Sequence, residues 1–313
     1  MITPIIEIEH LVKQYHKSPQ PSVNDISFSV EPGEFFAFLG PNGAGKTTTI
    51  SILTTTLAKT SGRVTIAGYD LDHDTQHIRE KIGIIFQKPS LDVNLTAEEN
   101  IRLHVCIQGL YAYRPMYRLM PAAYRRKIEE LAAVVGLGDD LFKPLKTFSG
   151  GMQRKLEIMR SLMHDPAILF LDEPTSGLDA ISRSTLWQYL QEVSRAQATT
   201  IFLTTHYIEE AEGADHVCIV NNGKIALHTT PQLMKQRLHD RYLMVNAVEP
   251  DRLKAELTQR GIPFSANGGG VKIPYTEATP QALIAQLETP LSLLNVYEPS
   301  LEEAYVNLIG AAS

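Results

Sequence analysis

The run GPNGAGKT, from Gly40 to Thr47, fits the spacing G-x-x-x-x-G-K-[ST]. The glycines allow the backbone to curl until its N–H groups face a phosphate. Lys46 is placed to neutralise the outer phosphate oxygens, and the Thr47 hydroxyl to ligate Mg²⁺. A second group with chemical potential is ILFLDEP, 168 to 174, where an apolar run ends in two carboxylates, Asp172 and Glu173. Strand alternation predicts that their side chains point to opposite faces and divide two jobs. Asp172 suits Mg²⁺ held through water, and Glu173 suits a general base for an attacking water. A third stretch, SGGMQRKLEIMR at 149 to 160, carries a good helix N-cap, Ser149, followed by Gly150 and Gly151. A helix start of that kind attracts anions, so the chain carries two such starts in different places.

These groups need elements to hold them. The first run follows the apolar stretch EFFAFL and leads into TTTISIL, the strand–loop–helix context that a phosphate loop requires. Residues 4 to about 95 read as strands broken by Gly and Pro. Residues about 96 to 165 read as mostly helical. Thr96 and Glu99 form a capping-box pattern, and Gly136 or Gly138 can end the helix RRKIEELAAVVGL. AILFLDEP, TTIFLTTH and HVCIVNNGKIAL then return to strands, their continuous apolar runs suiting a parallel sheet buried on both faces. Pro174 ends its strand, which keeps the acidic pair at the sheet's carboxyl edge, where α/β proteins bind ligands. From about 240 the pattern becomes β-α-β-β-α-β, a small α+β domain with a turn at NGGG.

Composition narrows the function. The chain has 313 residues, 43% hydrophobic and 20% charged, with a net charge of −6 that favours no nucleic acid. Cys106 and Cys218 lie far apart in apolar segments and read as small buried residues of a reducing compartment. No apolar run approaches the ~20 residues that cross a bilayer, and MITPIIEIEH lacks the features of a secretory signal. The segment GLYAYRPMYRLMPAAYRR, 109 to 126, interleaves Arg and Tyr in a manner that RNA contacts use. In an acidic chain it reads instead as a solvated loop of the helical region.

Taken in order, six motifs resemble the nucleotide-binding subunit of ATP-binding cassette (ABC) transporters over residues 4 to about 235. They are GPNGAGKTT, Gln87 in IGIIFQKPS, FSGGMQ, ILFLDEP, SGLD at 176 to 179, and TTH ending at His206. The resemblance implies a P-loop ATPase core, a mixed sheet flanked by helices with a helical subdomain at about 96 to 165, spanning 4–235. A small accessory α+β domain at 240–313 follows.

It also implies the site residues. ATP is cradled by Gly40, Pro41, Asn42, Gly43, Ala44, Gly45, Lys46, Thr47 and Thr48, with Tyr15 stacked on adenine. Thr47, Gln87 and Asp172 serve Mg²⁺. Glu173, His206 and Gln87 carry the chemistry. Ser149, Gly150 and Gly151 bind the γ-phosphate held by another copy, and Asp179 bridges the two sites. The implied working form is a homodimer closed over ATP, cytoplasmic and held at the inner face of the membrane by a separate multi-span permease, without nucleic acid.

The finer pattern, with LTTHYIEEAE and EPSLEEAYVNLIG, resembles the drug-resistance branch of exporter ATPases. Phe148 and Met152 stand where leucine and glutamine are usual in the signature; Ser149 and both backbone glycines remain. Two other functions are compatible with parts of the chain. A soluble ABC ATPase acting on ribosomes or DNA usually has two cassettes or a long coiled-coil insertion, and neither is here. A non-catalytic dimerisation module does not need Lys46, Asp172, Glu173 and His206.

Overall fold

The computed structural model describes residues 3–16, 18–87, 90–237, 242–267, 270–275, 280–297, 301–302 and 305. The chain divides into two compact units, Met1–Thr229 and Thr230–Ser313.

Among its described residues the first unit holds ten strands: β1 Ile6–Lys13, β2 Val23–Val30, β3 Phe35–Leu39, β4 Ser61–Ile66, β5 Tyr69–Asp70, β6 Ile82–Ile85, β7 Ile168–Asp172, β8 Thr200–Thr205, β9 His216–Asn221 and β10 Lys224–Thr229. Its helices are α1 Lys46–Leu53, α2 Thr75–Lys81, α3 Ala97–Ile107, α4 Ala122–Val135, α5 Gly150–Ser161, α6 Ala180–Gln197 and α7 Ile208–Ala211. One sheet is antiparallel, in the order β2-β1-β4-β5. The other runs β10-β9-β3-β8-β7-β6. Its pairs from β9 to β6 are parallel, and β10 joins β9 as an antiparallel hairpin.

Every residue of β3, β7 and β8 is buried, as their unbroken apolar runs require. Alternation divides their side chains between two cores. Phe36, Phe38, Ile168, Phe170 and Phe202 pack with α1 and the antiparallel sheet. Phe35, Leu169, Leu171, Ile201 and Leu203 pack with α3, α4, α5 and α6. Each such side chain contributes roughly 1.5–3 kcal/mol by leaving water. The outcome is a rigid sheet whose carboxyl edge carries the loops after β3, β6, β7 and β8.

The helical region keeps its sequence signals. Thr96 caps α3 through a reciprocal box with Glu99, and Gly136 ends α4 at φ 69. The segment 109–126 is largely exposed, as its composition suggests, and its tyrosines pack locally. Tyr111 and Tyr117 meet the fully buried Tyr124 edge-on, and the Tyr117 hydroxyl donates to Glu129. Tyr113, Met116 and Leu119 stand exposed. The two cysteines are free, Cys218 buried and Cys106 half-buried.

The second unit begins with α8 Pro231–Arg237. It continues with β11 Tyr242–Ala247, α9 Pro250–Gln259, β12 Ser265–Asn267, β13 Gly270–Pro274, α10 Pro280–Ile284 and β14 Leu291–Tyr297. From β11 onward this is the β-α-β-β-α-β order read from the sequence; part of the NGGG turn lies outside the described residues. Its sheet, β12-β13-β11-β14, is antiparallel and packs Leu243, Val245, Val271 and Ile273 on Leu253 and Leu257 of α9.

Glu256 on α9 organises this unit's surface. It accepts from the Thr289 hydroxyl, the N–H groups of Glu288 and Thr289, and Arg260. The Thr289 hydroxyl, and then the Glu288 N–H, hold its carboxyl at about 2 against an ordinary 4.5. A lowered carboxylate pKa adds stability above the unfolded-state value, and that stability is lost as pH falls from about 4.5 toward 2. Glu256→Gln should cost about 1–3 kcal/mol at neutral pH. Hydrogen exchange of α9 and β14 amides measures it, and exchange unchanged from the parent chain at pH 7 contradicts it.

Candidate functional site

The loop between β3 and α1 is fixed by close approach on both sides. A Cβ on Gly40 would meet the Val220 carbonyl at 2.4 Å. One on Gly45, at φ 105, would meet the Ser22 carbonyl at 2.4 Å. Only glycine fits either place, and the loop's curl follows from the two. Pro41, Asn42 and Gly43 form its outer rim, while Ala44, Gly45 and Lys46 are buried.

Lys46 is 4% exposed and donates to the carbonyls of Gly40 and Pro41 at 2.7 and 3.1 Å. Its ammonium also lies 3.5 Å from Glu173 Oε1. Burial lowers its pKa, with Glu173 and Asp172 opposing that shift.

Three groups converge on the Glu173 carboxylate. Lys46 is the first. Gln87 Nε2 donates to Oε2 at 3.2 Å, and His206 Nδ1 lies 3.3 Å from Oε1 without the alignment of a hydrogen bond. Gln87 reaches it from the segment after β6, His206 from the residue after β8. Four stretches far apart in sequence thus meet within one ion-pair radius at the sheet's carboxyl edge.

Asp172 lies beside them, 6% exposed, accepting from the Thr204 hydroxyl at 2.6 Å. Burial raises its pKa; the Thr204 hydrogen bond opposes this most, and Lys46 and the Thr47 hydroxyl less. A buried carboxylate close to hydroxyl oxygens is the hard-oxygen donor set that fits Mg²⁺.

Asp172 and Glu173 do not divide onto opposite faces as alternation predicts. Both carboxylates act on Lys46. Alternation stops at Asp172, the last residue of β7, because Glu173 adopts φ 46, a left-handed conformation uncommon outside glycine. That turn swings the Glu173 side chain back toward the loop after β3.

The remaining candidates fall in two places. Tyr15 is 43% exposed, and its hydroxyl is 3.5 Å from that of Thr48. Its ring therefore stands beside the start of α1. Ser149 caps α5, its hydroxyl accepting from the Met152 N–H at 3.3 Å. A Cβ on Gly151 would meet Ser182 Oγ at 3.0 Å, and one on Gly150 would meet Leu178. Asp179 is spent locally, capping α6 by accepting from the N–H groups of Ile181 and Ser182 and from the Ser182 hydroxyl. Among the described residues no hydrogen bond or ion pair joins Ser149, Gly150 or Gly151 to the loop 40–48.

Two residues at this site went unread in the sequence. Thr204 holds both Asp172 and the Glu173 N–H. Arg154, on α5, is buried and donates to backbone carbonyls beside Gln87 and Glu173. The signal for it was present: positions 154, 157, 158 and 161 share one helical face, and a buried Arg–Glu pair occupies it.

Known proteins resemble this chain. The ABC transporter family model matches residues 23–176. The linearmycin resistance ATP-binding protein LnrL of Bacillus subtilis is 32% identical, over 98% of each chain. The daunorubicin/doxorubicin resistance ATP-binding protein DrrA of Streptomyces peucetius is 36% identical, over 92% of this chain and 82% of its own. A dimeric ATP-binding cassette in a post-hydrolysis state, bound to ADP and Pi, superposes with a TM-score of 0.61 at 26% identity, covering 72% of this chain and 98% of that one. Among the described residues no helix is long and apolar enough to cross a membrane. The phosphate loop, the acidic strand end and the second helix start, together with relatives similar along nearly the whole chain, place this protein in the ABC transporter family as one of its ATP-binding, ATP-hydrolysing subunits.

Proposed function

We propose that two copies of this chain close head to tail over ATP and hydrolyse it to drive export through a separate membrane permease. The convergence of Lys46, Gln87 and His206 on the Glu173 carboxylate carries this reading. Glu173 accepts a proton from water as the water oxygen attacks the γ-phosphorus. The bond from that phosphorus to the bridging oxygen breaks, and ADP leaves with the electron pair. Lys46 and the loop N–H groups of residues 40–48 bind the phosphates. Gln87 and His206 orient the base and the water. Thr47, Asp172 and Gln87 are the residues that would hold Mg²⁺, which supplies charge neutralisation at the phosphate oxygens. The N–H groups opened by Ser149, Gly150 and Gly151 serve the neighbour's γ-phosphate, a use consistent with the lack, among the described residues, of any hydrogen bond or ion pair from them to the loop 40–48. Asp179, adjoining that helix start through Ser182, bridges the two sites.

Tyr15 stacks on the adenine. Tyr15→Ala should raise KM for ATP about fivefold or more and leave kcat unchanged, since base stacking is worth roughly 1–3 kcal/mol. Tyr15→Trp should restore it. Steady-state kinetics decide this, and an unchanged KM in the alanine variant contradicts it.

The permease side of the reading draws on the relatives, whose names speak of resistance to linearmycin and to daunorubicin and doxorubicin. An open cleft beside Gln87, lined in part by Phe86, Leu103 and Ile107, supports docking of a membrane partner there. On this reading the chain works in the cytoplasm at the inner membrane face. Reconstitution in vesicles with a candidate multi-span permease is the test. ATP-dependent drug efflux requiring both chains is expected; hydrolysis indifferent to that partner, with co-sedimentation on ribosomes, would overturn it.

A further inference from the structure

Glu173 holds a backbone conformation that a non-glycine residue keeps only when its surroundings over-determine it, and the restraints can be named. Its N–H is held by the Thr204 hydroxyl and carbonyl, both at 3.1 Å. Its carbonyl side is held by one guanidinium. Arg154 is 5% exposed, and its Nε donates to the Pro174 carbonyl at 2.7 Å. Its Nη2 reaches the carbonyls of Glu173 and Gln87 at 3.4 and 3.5 Å. Its Nη1 donates to the Phe86 carbonyl at 2.7 Å and to Glu157 Oε2 at 2.8 Å. The other Glu157 oxygen accepts from the Ser90 N–H at 2.9 Å.

A buried arginine is costly to desolvate, and an apolar side chain would fill a helix face at less cost. Here every N–H of the fork is spent on the peptides that flank Gln87 and Glu173, or on the carboxylate that fixes Arg154 itself. A lysine, with one point charge and no planar fork, cannot span these acceptors. Arg154 also rides on α5, the helix that Ser149 opens.

We propose that Arg154 is a positioning residue. Its guanidinium keeps Glu173 in the left-handed conformation and aims the Gln87 and Glu173 side chains at each other and at Lys46. It thereby ties the helix start that meets a neighbouring copy's ATP to the base of this copy's own site. The inference rests on the reading of Glu173 as the base. Removal of Arg154 lets the Glu173 peptide relax, and the carboxylate leaves the attacking water's reach while the phosphate loop stays intact.

The test is steady-state ATPase kinetics and ATP affinity for the parent chain, Arg154→Lys, Glu173→Gln and the double variant. Arg154→Lys should lose about tenfold to hundredfold in kcat, the scale of a misplaced reacting group, with KM and Kd for ATP within about twofold. The double variant should be no slower than Glu173→Gln alone. Glu157→Gln, which still accepts from Ser90 but frees Nη1, should shift kcat the same way by a smaller factor and keeps the test open if Arg154→Lys folds poorly. Parent-like kcat in Arg154→Lys, or an equal slowing by it in the Glu173→Gln background, overturns the role of Arg154. Near-normal turnover in Glu173→Gln alone removes instead the reading it rests on.

Discussion

Glu173→Gln slows ATP hydrolysis by about 10²-fold or more, about 3 kcal/mol in the barrier, and leaves ATP bound. The amide keeps the side chain's shape, and its oxygen still accepts from Gln87, which now donates to Oε2 at 3.2 Å. What disappears is an atom able to take the water's proton. The Lys46 contact at 3.5 Å is weakened too, but Lys46 retains the Gly40 and Pro41 carbonyls and stays in its loop. Less negative charge near the triphosphate can only help binding. A phosphate-release assay beside an ATP titration separates the two effects. Turnover near that of the parent chain would remove Glu173 as the base.

Ser149→Arg should abolish hydrolysis to a similar degree without touching the chain's own phosphate loop. The substitution removes the cap on the Met152 N–H, costing about 1 kcal/mol of helix stability, and puts a long cation where a neighbour's γ-phosphate must approach. ATP binding by the single chain should be unchanged, because among the described residues no hydrogen bond or ion pair links this helix start to residues 40–48. In the Glu173→Gln background, which binds ATP without turning it over, the parent signature should give a dimer by size-exclusion chromatography and Ser149→Arg a monomer. A stable ATP-bound dimer of the Ser149→Arg/Glu173→Gln chain would contradict this.

The legible features were local. The loop at 40–48 announced itself because its glycines, lysine and flanking strand are consecutive. The capping box at Thr96 and Glu99 and the glycine stop at 136 are equally short-range. The β-α-β-β-α-β order of the second unit followed from periodicity, but its strand order β12-β13-β11-β14 depends on pairings between distant segments. The misreading of Asp172 and Glu173 has a single cause: alternation was extended one residue past the strand, where φ turns positive. The loop 109–126 is solvated as its composition suggests, but composition cannot show that Tyr111, Tyr117 and Tyr124, in a loop and a following helix, face one another. Arg154 escaped because a charged residue in a polar-looking helix is usually exposed, and only the carbonyls gathered around it explain its burial.

The central claim is that each ATP site is shared by two chains, and mixing two disabled chains tests it most directly. Lys46→Ala destroys the phosphate loop and spares Ser149; Ser149→Arg does the reverse. Each alone should be nearly inactive. Mixed, they should regain hydrolysis from the one composite site that joins an intact loop to an intact Ser149, and at most that one. Full-rate hydrolysis by either variant alone as a monomer would contradict the shared site.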